Sequence, residues 1–169
     1  GLNSLRRAER LKPGEAEMRR MAGLYGVLKE YPRALKIIEE LTRRKPEEAG
    51  LWIDQADAVV HLGDRNLGLK LLGRAGGLKP GEAEMRRMLG LYAGLKDYPG
   101  ALKIAEELTR RKPKDAGLWV EQADMAVRLG DRELGLNSLR RAEGLEPNEA
   151  ETRRMEGLYR DLKDYSGAL

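Results

Sequence analysis

Apolar residues recur along this chain with a helical period, in short bouts separated by turn-forming residues. Met18, Met21, Ala22 and Tyr25 stand at i, i+3, i+4 and i+7, the spacing that lines one face of an α-helix rather than a strand. After Lys29-Glu30-Tyr31-Pro32 comes a second bout in Ala34, Leu35, Ile37, Ile38 and Leu41. Thr42-Arg43-Arg44-Lys45 closes it, placing cations at the negative end of the helix dipole. A third bout runs through Leu51, Trp52, Ala56 and Val59 to Leu62-Gly63-Asp64. There Gly63 suits the left-handed residue that ends a helix, and Asp64 the N-cap of the next. Leu67, Leu69, Leu71, Leu72 and Ala75 form the fourth. Each predicted helix carries an apolar stripe that it cannot bury alone.

The pattern is written nearly twice. Residues 82–148 repeat residues 15–81 with most positions unchanged, and fragments of the same unit flank both copies. Each unit splits into two unlike halves, marked by Pro13, Pro46, Pro80, Pro113 and Pro147 at spacings of 33 or 34. Proline cannot continue a helix but suits the turn into the next one. Self-similarity at such a period is the mark of a stacked repeat array. The reading is a single array: a half repeat at 1–14, full repeats at 15–48, 49–81, 82–115 and 116–148, and a partial repeat at 149–169.

These landmarks resemble those of the tetratricopeptide repeat. Tyr25, Tyr31, Ala34 and Pro46 fall in its order of aromatic, aromatic, small and proline residues. Trp52, Gly63 and Ala75 mark the second repeat, and Tyr92, Tyr98, Ala101 and Pro113 the third. Trp119, Gly130, Ala142 and Pro147 mark the fourth, and Tyr159, Tyr165 and Ala168 the fifth. The chain departs from the pattern where Met18, Met85 and Thr152 replace the tryptophan, and where Gly68 and Gly135 replace an alanine. The resemblance implies an all-α fold, a right-handed superhelix (solenoid) of antiparallel helix pairs. It also implies a concave groove, lined by first helices, that holds peptides or extended protein segments. Tyr25, Trp52, Tyr92, Trp119 and Tyr159 are then core packing residues.

Composition narrows the chemistry. There is no cysteine among the 169 residues, so thiolate nucleophiles, disulfides and Cys-based metal sites are excluded. Lys and Arg number 32 against 28 Asp and Glu, a net charge of +4. Nucleic-acid binding calls for a segregated basic face, which this mixture opposes. No apolar run approaches the ~18 residues of a membrane span, and no signal segment opens the chain, so the compartment stays unassigned. The first residue stands inside the repeat pattern, which reads as a fragment of a longer array.

In the family's phase, the groove carries Arg19-Arg20, Arg86-Arg87 and Arg153-Arg154 in odd repeats, and Asp54, Asp57, Glu121 and Asp124 in even ones. The arginine forks would grip carboxylates of a partner. Alternatively, the two signs pair with each other between neighbouring first helices, each exposed pair being worth about 0–1 kcal/mol. The Lys and Asn set with which some relatives clamp a peptide's terminal carboxylate is absent at the matching positions. His61 is the only histidine, so a metal site or His-based triad lacks parts. Acid pairs such as Glu39-Glu40 and Glu106-Glu107 sit among basic residues as a solvated face. No cofactor is expected.

The leading expectation is a non-enzymatic scaffold whose partner is a protein or peptide segment. One alternative is an engineered or recently duplicated array with a structural role, stacking head to tail through its uncapped ends. Another is RNA binding, against which Asp57 and Asp124 stand because they would repel phosphates.

Overall fold

A computed structural model describes residues 2–9, 11 and 13–164. Among them are ten helices and no strand: α1 (Leu2–Glu9), α2 (Glu15–Val27), α3 (Tyr31–Arg44), α4 (Ala49–His61), α5 (Arg65–Gly77), α6 (Glu82–Gly94), α7 (Tyr98–Arg111), α8 (Ala116–Leu129), α9 (Arg132–Glu143) and α10 (Glu149–Asp164). The fold is all-α, as the periodicity requires. Tyr165 and Ala168 lie outside the described residues. The helices gather into two compact units, one up to Glu84 and one from Met85 on.

In the first unit α2 packs on α3, α3 on α4 and α4 on α5. Met18, Met21, Tyr25, Ile37, Ile38, Leu41 and Leu51 form its core, and Leu2 and Leu5 of α1 lie against it. The second unit has two apolar layers that share α8. Leu118 and Met125 face Met85, Leu89, Ala101, Ala105 and Leu108. Val120, Ala123 and Val127 face Leu139, Ala142, Met155, Leu158 and Leu162. One helix thus buries two sides at once, and even its polar Gln122 and Asp124 are buried.

Four helices end in the same hydrogen-bonded turn. At α4 the Gly63 N–H donates to the Val60 carbonyl at 2.9 Å and the Asp64 N–H to Val59 at 3.0 Å. At α8 Gly130 and Asp131 donate to Val127 and Ala126 at 3.0 and 2.9 Å. After α2, Lys29 and Glu30 bond Gly26 and Tyr25, and after α6, Lys96 and Asp97 bond Ala93 and Tyr92, all at 2.9 Å. This is the Schellman turn, and its penultimate donor sits in the left-handed region. Gly63 and Gly130 do so at φ 90° and 76°, Lys29 and Lys96 at 57° and 55°. The even repeats fill this position with the residue that has no Cβ; the odd ones carry lysine in a region that crowds its Cβ against backbone.

The helix starts also differ by half-repeat. Asp64, Asp115 and Asp131 accept from the N–H groups of Leu67, Leu118 and Leu134 at 2.9, 3.2 and 3.0 Å. Odd repeats use a glutamate reaching back: Glu84 accepts from the Gly81 N–H at 2.8 Å and Glu151 from that of Asn148 at 2.9 Å, where the Asn148 side chain also accepts from the Glu151 N–H at 3.0 Å. Either device satisfies an amide that the helix leaves orphaned. The glycines at 68 and 135 have a packing reason. A Cβ on Gly68 would lie 2.5 Å from Cγ2 of Val60, and one on Gly135 would lie 3.3 Å from Cγ2 of Val127.

Two stability outcomes follow from these contacts. Lys29→Gly and Lys96→Gly are each expected to raise the unfolding free energy read from urea melts by about 0.5–1 kcal/mol, as the left-handed penalty is relieved. No change in either variant would refute the strain at these turns. Gly68→Ala gains about 1 kcal/mol of helix propensity but overpacks against Val60, which costs about 1–3 kcal/mol. A net loss is expected in the native background and a gain in a Val60→Ala background; the same sign in both would contradict the steric account.

Candidate functional site

The charged rows of the first helices are largely engaged with each other. In the first unit Arg19 of α2 reaches Glu15 at 3.1 Å and Glu48, which precedes α4, at 2.5 Å. Lys45, at the end of α3, reaches the same two acids at 2.9 and 3.2 Å. The four groups form a closed, neutral ring tying three helix ends together. The hydrogen bond from Lys45, then that from Arg19, holds the Glu15 carboxyl below its ordinary range; Arg19 does the same first for Glu48. Arg19 therefore fastens α2 to α4. Arg20 is exposed beside it.

In the second unit Arg86 of α6 repeats the Arg19 role, bonding Asp115 before α8 at 2.8 Å. Arg154 of α10 donates to Glu121 at 2.5 Å and to Asp124 at 2.6 Å, both on the neighbouring first helix α8. Arg128 takes the other Asp124 oxygen at 2.7 Å and lies over the Tyr98 ring, 5.4 Å from its centroid. The side chain of Asp124 is only 10 % exposed. Two guanidiniums flank it there and offset the cost of burying a carboxylate. Glu121 first, then Asp124, raises the Arg154 pKa above its ordinary value, although burial works against the charge. Arg153 faces away and pairs with Glu149 of its own helix, both largely exposed. The bridging residue at this step is therefore Arg154, the second arginine of its pair. Adjacent helical positions point about 100° apart, and sequence alone left open which of the two would face α8. Arg87 is exposed on α6.

Of the aromatic landmarks, Tyr25 is fully buried, while Trp52, Tyr92, Trp119 and Tyr159 are half-buried. Both tryptophans donate their Nε1–H to a proline-loop carbonyl, Trp52 to Pro46 at 2.8 Å and Trp119 to Pro113 at 2.9 Å. Arg74 stacks over Trp52 at 4.3 Å. They bind each first helix to the turn before it.

Asp54 and Asp57 lie on the wall of a cleft of ≈ 300 Å³ between α2, α3 and α4. Its floor is Ala34, Ile38, Leu41, Leu51 and Ala58, and Gly23, Gly26 and Val27 line the opposite wall. Val27 is 80 % exposed, and a Cβ on Gly23 or Gly26 would meet nothing within 4 Å. Beside Asp57 stands His61, its ring stacked on that of Tyr31 at 4.4 Å. Sequence patterning pointed to Asp54 and Asp57 but gave no signal for the opposite wall, whose glycines stand at positions that a helical wheel marks as neutral. A second depression of ≈ 850 Å³ beside Pro13 and Pro32 is rimmed by Arg33, Lys36, Arg43 and Arg44. Among the described residues no group of three His, Asp or Glu side chains is placed to hold a metal ion, and no helix is long and apolar enough to cross a membrane.

The helix pairs have the fold seen in a solved tetratricopeptide-repeat protein. Among solved structures, the chain resembles MamA from Desulfovibrio magneticus RS-1, with a TM-score of 0.64 at 16 % identity over 92 % of this chain and 97 % of that one. MamA MSR-1 C2 gives 0.64 at 18 % identity over 91 % and 90 %. TTC0263, described as a thermophilic TPR protein of Thermus thermophilus, gives 0.58 at 20 % identity over 86 % and 81 %. No protein-family model and no curated protein matches the sequence.

The ring around Arg19 has a pH signature. Carboxyls held below their unfolded values stabilise the fold above the ordinary carboxylate range, and that contribution is lost as pH falls through the folded values. Screening of these partly exposed groups keeps it small. An Arg19→Gln/Lys45→Gln variant should lose less stability than the native chain between pH 6 and pH 3 in urea melts. Parallel losses would exclude the ring as a contributor.

Proposed function

We propose that this chain is a non-enzymatic scaffold that holds a segment of a partner protein against its first helices, with the cleft between α2, α3 and α4 as one seat. The observation that carries this reading is the cleft itself: an apolar floor, an acidic wall and an open wall of glycines. Binding sites for extended segments combine such apolar contact with a few placed polar groups. The fold likeness to other repeat proteins is in keeping with it. The charges at Arg19, Arg86 and Arg154 supply architecture rather than grip, since each is committed to a neighbouring helix. Among the other charged residues of the first-helix rows, Asp54 and Asp57 line the cleft and are the ones assigned to partner contact.

Gly26→Trp tests the reading. The new side chain enters open space on a helix, where replacing glycine favours the helical state by about 0.5–1 kcal/mol, so the fold should survive. Photo-cross-linking to a random peptide library is expected to label α2–α4 in the native chain and to fall severalfold in the variant, with the circular dichroism melt unchanged. Equal labelling of both proteins would remove the cleft from the function.

A further inference from the structure

The two copies of the repeat differ at one chemically telling place. In the second unit the Asp124 carboxylate is held by two permanently charged partners, Arg128 at 2.7 Å and Arg154 at 2.6 Å. The corresponding carboxylate in the first unit is Asp57, and the residue corresponding to Arg128 is His61. Tyr31 takes the place of Tyr98. The geometry is kept: the His61 ring stacks on Tyr31 with 20° between planes, where Arg128 lies over Tyr98. His61 Nδ1 is 2.9 Å from the Asp57 carbonyl oxygen and 3.3 Å from its carboxylate. Two acceptors at Nδ1 fix the proton there, so the neutral ring takes its second proton on Nε2. The charge of the partner is thus constant in one copy and switchable in the other.

Exposure differs in the same sense. The Asp57 side chain is 45 % exposed, against 10 % for Asp124, and it lines the cleft together with Tyr31. Resting on the reading of that cleft as a binding surface, we propose that it takes a protein segment presenting a Lys or Arg side chain to Asp57, and that protonation of His61 releases this cation. With His61 neutral, Asp57 has no cation on its own helix and offers its negative charge at the edge of an apolar floor. With His61 protonated, the imidazolium supplies the counter-charge that Arg128 supplies permanently to Asp124. The groups facing His61 are Tyr31 from α3 and Asp57 from its own helix. Towards α5 the next charged residues are Asp64, whose carboxylate accepts from Leu67, and Arg65. Arg19, at the other end of the cleft, is committed to Glu15 and Glu48.

The test is fluorescence anisotropy of the full chain with two pools of labelled nonapeptides. Both have random Ala, Leu and Val flanks; one has lysine and the other norleucine at the centre. At pH 8 the lysine pool should bind about threefold or more tightly than the norleucine pool, the scale of one exposed ion pair. At pH 5 that preference should vanish. His61→Gln should keep the preference at both pH values, and His61→Arg should lack it at both. Equal binding of the pools at pH 8, or a preference in the native chain that ignores pH, overturns the proposal. If those equal affinities still fall with Gly26→Trp, the scaffold reading stands without it. If neither pool binds, both readings fail together.

Discussion

A thirteen-residue helix with one apolar stripe has no stability of its own in water, since nucleation costs more than its few hydrogen bonds return. Most of the described helices are of that kind, and the organisation of each unit follows from the need of its helices to lie against one another. Within each unit the short proline and glycine turns keep successive helices adjacent. Alanines at 34, 56, 75, 101, 105, 123, 126 and 142, each 2 % exposed or less, let helices approach closely, while Met, Leu and Tyr fill the space between. In such an array stability is a sum of neighbour contacts, and that is why charge pairing between neighbouring helices belongs to the architecture.

Much of this was legible in the sequence because helical period, capping and turn chemistry are local. Asp64 as a cap, Gly63 as a left-handed terminator and Arg44 as the end of a helix are written within a few residues of the places they act. What was not legible depends on distance through space. The choice between Arg153 and Arg154 turns on which side of α10 faces α8. The need for glycine at 68 lies eight residues earlier, in Val60. Nor could spacing show that Lys29 and Lys96 would take the left-handed place that Gly63 and Gly130 hold elsewhere. The cleft wall at Gly23 and Gly26 was invisible for the same reason: an absence of side chains becomes a surface only once three helices are assembled around it.

The two copies repeat the same helix order and turn hydrogen bonds while single side chains vary. Where both copies keep a contact, as with Trp52 to Pro46 and Trp119 to Pro113, the contact belongs to the scaffold. Where one keeps geometry and changes chemistry, as at His61 and Arg128, the change is available for something other than folding. Duplication in this sense provides an internal control. The acid flanked by two arginines at 124 shows what a purely structural version of the site looks like, and the exposed acid at 57 is measured against it.

The helix shared by two layers sets how the second unit can come apart. Leu118 and Met125 belong to one core and Val120 and Val127 to the other, so α8 cannot loosen on one side while remaining docked on the other without exposing part of both. Opening motions that start from α10 or from α6 can each peel one layer, but both stop at α8. Its amides should be the slowest in the unit to exchange with solvent deuterium. The middle of this unit thus serves as a firm spine, with flanking helices able to yield independently.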